Sequence, residues 1–341
     1  MAQTTAASAT AVPTPQDQIL GMVTGFWQSR ALAVAAELEL ADRLADGPLS
    51  VDVLAAKTKT DALSLFRVMR VLESSGVFTQ VSPRVFANTP ASDCLRKDVP
   101  GSQWAFVRLV LSKDMGEYDG LGALMDSVQT GQISFDRVFG CSYWQFLRRN
   151  PDKWAIFNEA MRSFSVAITP AVTASYDWSR FRVIADTGGG IGTQLVDILK
   201  AHPSCRGILY DQPDVVAGAI PHDRVEPIGG DFFESVPAGA DAYILRWIIH
   251  DWAEPEAIKI LKNVREAMKP DARLVLLETV IPESAESTLG KSMDLVMLTL
   301  VGGRERTANE YSELYAKAGF QLEQIIPTPS PLSIIVGRPA S

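Results

Sequence analysis

Apolar positions along the chain change their period near Trp178, and the change divides the molecule. Before it, helical spacing dominates. Across residues 17–45, Ile19, Met22, Val23, Phe26, Trp27, Ala31, Val34 and Leu38 fall on more than one side of a 3.6-residue helix, which therefore needs cover from two directions. A second copy of the chain would supply one of them. Residues 49–76 read as two helices joined by a turn, with Ser50 and Asp61 as caps, and residues 77–87 alternate as a short hairpin turning at Ser82-Pro83. That order is a winged helix.

After Arg180 the period shortens, and strands near Val183, Gly207, Val225, Ala242, Leu274, Phe320 and Leu332 alternate with helices such as residues 193–201 and 254–268. The alternation predicts an α/β fold, a doubly wound, mainly parallel Rossmann-like sheet of seven strands covered on both faces. Residues 321–326 and 332–336 are joined by a proline-rich stretch too short for a helical crossover, so that last pair is antiparallel. Four segments follow. Residues 1–14 form a disordered tail, 15–100 the winged helix, 101–178 a helical linker carrying pocket residues, and 179–341 the ligand-binding catalytic domain.

Candidate chemistry gathers at the strand ends. Val183-Ile184-Ala185-Asp186-Thr187-Gly188-Gly189-Gly190-Ile191-Gly192 is an apolar strand that reaches a carboxylate and breaks into glycine, which permits a tight turn and close approach of backbone amides to a ligand. The dinucleotide fingerprint needs its third glycine one residue after Gly192, where Thr193 stands, so the spacing favours S-adenosylmethionine over NAD. Asp186, Gly188 and Gly190 are the loop's cofactor candidates. Asp211 closes the next strand, about 20 residues on, where an acid accepts hydrogen bonds from ribose hydroxyls. In Gly229-Gly230-Asp231-Phe232, Gly230 lets the chain approach, Asp231 suits the adenine amino group and Phe232 the ring face.

A third strand runs Ala242-Tyr243-Ile244-Leu245-Arg246-Trp247-Ile248-Ile249-His250-Asp251-Trp252. It resembles the LKWxxHDW block of the S-adenosylmethionine-dependent O-methyltransferases of the plant caffeate and animal hydroxyindole type, which bacteria use on phenols and polyketides. Leu277-Glu278-Thr279-Val280-Ile281-Pro282 is similar to that family's xExxxP block, Gly302-Gly303-Arg304-Glu305-Arg306-Thr307 to GGKERT, and Phe157-Asn158-Glu159-Ala160-Met161 to FNxxM. The similarity runs from about Asp17 to the C-terminus. Thr187, Arg246 and Arg304 depart from the family's valine and two lysines, and only Arg246 stands at a presumed cofactor contact, with its charge kept.

The resemblance implies a methyl transfer to a small aromatic hydroxyl compound. His250 would take the hydroxyl proton, Glu278 and Glu305 would orient its ring, and Met161, Trp247 and Met297 would line the acceptor pocket. Other aromatics and methionines between Trp104 and Phe164 supply a deformable lining, with Met293. Asp251 and Trp252 support the site. No metal is expected, and the winged module would dimerise and lend a wall to the partner's active site. A simple phenol near pKa 10 and an imidazole near 6.5 leave roughly 5 kcal/mol uphill for complete proton transfer. Proton loss should therefore accompany methyl transfer.

Composition narrows the partners. A net charge of −8 and the lack of a basic stripe around Arg67 and Arg70 argue against nucleic acid and anionic membrane, and against a DNA-binding regulator. Three scattered cysteines fit a reducing cytoplasm rather than a disulfide framework. No apolar run approaches a membrane span, and the N-terminus lacks the marks of a signal peptide. Related enzymes that use the bound cofactor for decarboxylation or hydroxylation remain as an alternative, although they would not need the His250, Glu278 and Glu305 set.

Overall fold

The computed structural model describes residues 14–340, so the expected tail lies outside the described residues except for Thr14. Compactness divides the chain after Ser112. The helix Trp104–Leu111 therefore counts with the first unit, beyond the expected boundary at residue 100. Its place there has a physical cause. The Trp104 indole N–H donates to the Ala36 carbonyl at 2.9 Å, and Val107 joins the buried core around Leu40 and Met69.

In the first unit, helix α1 (Pro15–Glu37) starts on a capping box in which Thr14 and Asp17 satisfy each other's backbone amides. The single helix expected over residues 17–45 breaks instead. Glu39 adopts a left-handed conformation with φ of 52°, and α2 (Leu40–Arg43) leaves in a new direction. The turn seats Leu40, Ala41 and Leu44 in the core, which a straight helix would not do. Helices α3 (Val51–Thr58) and α4 (Ala62–Ser74) are capped by Ser50 and Asp61. Strands β1 (Leu49–Ser50), β2 (Phe78–Ser82) and β3 (Val85–Asn88) form an antiparallel sheet in the order β1-β3-β2. This is a winged helix. The first half of α1 is exposed along Ile19, Met22, Val23, Phe26 and Trp27.

The second unit begins with short helices, continues through the 24-residue helix Pro151–Ala174 and then enters the sheet. Its strands are β4 (Val183–Thr187), β5 (Arg206–Asp211), β6 (Val225–Gly229), β7 (Ala242–Arg246), β8 (Arg273–Glu278), β9 (Phe320–Pro327) and β10 (Ser333–Pro339). They lie in the order β6-β5-β4-β7-β8-β10-β9, parallel except for the two pairs made by β10. Alternation along each strand feeds two cores, one through Ala185, Tyr243, Leu245, Leu274 and Leu276, the other through Ile184, Ile244, Val275 and Leu277. The helix Glu254–Ala267 covers the first and Thr193–Ala201 the second. Strand order reverses between β4 and β7, the place where doubly wound sheets receive a ligand at their carboxyl ends.

Candidate active site

The glycine loop follows β4 because side chains do not fit there. A Cβ on Gly188 would stand 2.6 Å from Ile248 Cδ1, and one on Gly189 2.6 Å from both Asp186 Cγ and Leu209 Cδ1. Gly190 differs. Nothing lies within 4 Å of its missing Cβ, and it is required by a φ of 60°. That conformation aims the Gly190 amide at Asp211 Oδ2, 2.8 Å away, while the Gln212 amide donates to Oδ1 at 2.7 Å. Asp211 thus ties the loop to the end of β5. Burial raises its pKa, and the two amides oppose the rise.

Asp231 is exposed at the end of β6, where Oδ1 accepts the Phe233 amide at 2.8 Å. Gly230 lies flat on Tyr210, whose hydroxyl a Cβ would meet at 2.3 Å. Phe232 is half-buried with its edge toward Trp252, ring centroids 6.2 Å apart.

Asp186 and Arg246 carry a different signature. Both carboxylate oxygens of Asp186, and Nε and Nη2 of Arg246, are buried without a hydrogen-bond partner. Arg246 Nη1 donates to Thr169 Oγ1 at 2.8 Å, and the guanidinium lies over the Trp247 ring at 5.2 Å. Burial pushes the Asp186 carboxyl up to about 7 against the pull of Arg246, and pushes Arg246 down to about 10. Orphaned acceptors and orphaned donors at one strand edge fit the two charged groups of a free amino acid, which is the methionine end of S-adenosylmethionine.

Past β7 the backbone bends sharply. Trp247 has a φ of 50°, an uncommon conformation for a bulky residue, and a single helical turn, Ile249–Asp251, follows. The turn is held from below by Glu278, whose Oε1 accepts the amides of Ile248 at 3.1 Å and Ile249 at 2.8 Å. His250 is buried in a ring of acids. Its Nδ1 lies 2.7 Å from Glu305 Oε1 and 4.0 Å from Glu278 Oε2, and its Nε2 lies 3.4 Å from Asp251 Oδ1.

Burial opposes charge on the imidazole, but Glu278, Asp251 and Glu305 outweigh it and raise the His250 pKa to about 10. The same burial lifts Glu278 to about 7 and Asp251 to about 6. His250, Glu278 and Glu305 could offer donors to a cation, all within 4.8 Å of one another. The 2.7 Å approach of His250 Nδ1 to Glu305 Oε1 is shorter than the roughly 3.3 Å between two ligands of one tetrahedral zinc. At 2.7 Å, His250 and Glu305 share a proton instead.

The loop that carries Glu305 is wedged against the turn. A Cβ on Gly303 would fall 1.9 Å from the His250 carbonyl oxygen, and the Glu305 amide donates to Asp294 Oδ1 at 2.9 Å. Arg306, wholly buried, donates from Nη1 to the carbonyls of Ile249 and Arg304, both at 3.2 Å. Sequence reasoning gave Arg306 and Asp294 no role. Their only signal was adjacency to Glu305 and a charged position within the helix Leu289–Leu300. Among the expected pocket residues, Trp247 stacks nearly parallel to His250 at 12° and meets Phe164 edge-on. Met161 is half-buried and Met297 buried.

Two family models match the chain, an O-methyltransferase dimerisation domain over residues 20–98 and an O-methyltransferase domain over residues 121–321. The chain belongs to the O-methyltransferase family. It is 41% identical to the phenazine O-methyltransferase of Lysobacter antibioticus, over 94% of this chain and 95% of that one. It is 36% identical to the mitomycin biosynthesis 6-O-methyltransferase of Streptomyces lavendulae, over 95% and 93%. The crystal structure of human N-acetylserotonin methyltransferase in complex with its methyl donor superposes with a TM-score of 0.87 at 25% identity, over 98% of this chain and all of that one. This O-methyltransferase therefore takes its methyl group from S-adenosylmethionine. No helix among its described residues is long and apolar enough to cross a membrane.

Proposed function

We propose that the enzyme methylates a hydroxyl of a small aromatic metabolite, with His250 as general base, and works as a homodimer. The observation that carries the reading is the short contact of His250 Nδ1 with buried Glu305. It fixes the ring and commits Nδ1, so that Nε2, beside Asp251, is the nitrogen that loses and takes a proton. Glu278 acts on the same ring through its charge and through the backbone turn.

S-adenosylmethionine supplies an electrophilic methyl group on its sulfonium. Asp186 would receive its ammonium and Arg246 its carboxylate, Asp211 its ribose hydroxyls, Asp231 and Phe232 its adenine, with Gly188, Gly190 and Gly230 leaving room for close approach. Asp211 already holds two amides, yet a carboxylate has about four acceptor positions, so two remain. Met161, Trp247 and Met297 would contact the acceptor, whose aromatic nature is supported by the phenazine substrate named for the Lysobacter relative.

The acids around His250 change the proton energetics. With the imidazole raised to about 10, the gap to a simple phenol near 10 closes. The consequence is that the ring carries a proton at neutral pH, so turnover should rise with pH until that proton is lost. An acceptor whose hydroxyl stays protonated over the range isolates this limb, because transfer to it needs a base, whereas one of pKa near about 7 ionises without help. Single-turnover methyl transfer at saturating cofactor should show the rising limb in the wild type and lose it in His250→Ala, with a rate about 10²- to 10⁴-fold lower at the plateau. Cofactor affinity should stay within a few-fold. An unchanged rate in His250→Ala would remove the base from the mechanism.

A further inference from the structure

One buried acid in the second unit is left unused by this chemistry. The helix Glu117–Gly122 opens on Glu117 and the helix Tyr143–Arg149 on Tyr143, and the Tyr143 hydroxyl donates to Glu117 Oε1 at 2.5 Å. Both side chains are buried in an aromatic cluster, where Tyr143 meets Phe135 edge-on at 5.2 Å and Phe157 at 6.1 Å. Burial pushes the Glu117 carboxyl up to about 7, against the effect of the Tyr143 hydrogen bond. A carboxyl group among phenylalanines is a costly way to join two helices, because one hydrogen bond does not repay the loss of hydration. Its direction is also fixed. Gly116, with a φ of 91°, presses the preceding backbone onto Phe135, and a Cβ there would stand 2.9 Å from the ring.

Two observations put this pair on the acceptor side. Tyr143 lies close enough to Asp251 for that carboxylate to bear on its hydroxyl, and Asp251 Oδ1 is 3.4 Å from His250 Nε2. Phe157, packed on Tyr143, stands one helical turn before Met161 on the helix Pro151–Ala174.

We propose that the Glu117–Tyr143 pair is a second polar contact for the acceptor, selecting aromatics that carry another hydrogen-bond donor, a hydroxyl or an N–H, besides the hydroxyl that is methylated. This deepens the function proposed above and rests on it. The chemistry follows from the inventory of protons. Tyr143 has committed its proton to Glu117, so once Glu117 is ionised, above its raised pKa of about 7, the phenol oxygen and the second carboxyl oxygen offer lone pairs only. A donor on the acceptor is satisfied there. A carboxylate or carbonyl meets lone pairs and is rejected, and an acceptor lacking any group leaves a desolvated acid unpaired.

The test compares kcat/KM, at a pH above about 8 where Glu117 is ionised, for 1-naphthol, dihydroxynaphthalene isomers and a hydroxynaphthoic acid in the wild type, Glu117→Gln and Tyr143→Phe. The best dihydroxy isomer should exceed 1-naphthol by roughly 10-fold or more in the wild type. Both variants should bring that ratio toward one. Glu117→Gln keeps an oxygen for Tyr143 but turns the free edge into a donor, so it should also gain activity on the carboxylate acceptor relative to the dihydroxy one. If the pair only joins helices, all acceptors lose equally and the ratios hold, which overturns the proposal. A wild type that methylates 1-naphthol and every dihydroxy isomer equally overturns it too, while the function stands. Methylation of none of them overturns both. If neither variant folds, as judged by melting and binding of S-adenosylhomocysteine, the wild-type ratio decides alone.

Discussion

His250 is surrounded by more negative charge than one imidazolium neutralises. Glu305, Glu278 and Asp251 face its two nitrogens, and wholly buried Arg306, held by the carbonyls of Ile249 and Arg304, is a cation that interacts with the charge of Glu278. The sign of the coupling is open to measurement. Glu278→Gln keeps the oxygen that accepts the Ile248 and Ile249 amides but removes a negative neighbour, so the His250 pKa should fall from about 10 and the rising limb of turnover should move to lower pH, by about one unit. A limb that stays in place, or moves upward, would mean that Glu278 acts only through the backbone. At this scale the sequence singled out His250, Glu278 and Glu305 through their motifs, and the fold brings the three together. The 3.4 Å approach of Asp251 was not legible, because it depends on the strained turn at Trp247 that brings adjacent side chains to one ring.

Elements meet closely at two glycines. Gly303 is in the family's GGKERT block, yet its reason is steric: the backbone of the loop lies against the His250 carbonyl where a Cβ would come to 1.9 Å. Gly303→Ala must push the Glu305 loop away from the turn. Turnover should fall by about 10²-fold, since a displacement of about 1 Å at a catalytic pair has that cost, while S-adenosylhomocysteine binding measured by calorimetry changes little. Wild-type turnover in that variant would show that the loop yields freely. The strand-end acids were legible because a parallel sheet sends every carboxyl end to one edge, and Asp186, Asp211, Arg246 and Glu278 all end strands there or stand next to the end. The break at Glu39 was not. Residues 17–45 keep helical spacing throughout, and only the need to bury Leu40 and Leu44 against α3 and α4 turns the chain.

For the whole molecule, the exposed stripe of Ile19, Met22, Val23, Phe26 and Trp27 on α1 lies in or beside the segment matched by a dimerisation domain. Trp27 is 61% exposed, a large apolar side chain that no described residue covers fully. Trp27→Glu should put a charge into the homodimer interface and yield the monomer mass of 37.1 kDa by light scattering at micromolar concentration, whereas the wild type gives twice that. A monomeric wild type would refute the dimer. The sequence by itself determined the order of elements, the two-part organisation and the residue types at the strand ends, because hydrophobic period and glycine placement are local properties. Tertiary structure alone decided that Asp186 and Arg246 keep buried polar atoms without partners, that Arg306 holds the turn beside His250, and that Glu117 meets Tyr143. These pairs join residues 26 to 60 positions apart, or are defined by missing partners, and only packing brings together groups that no local pattern connects.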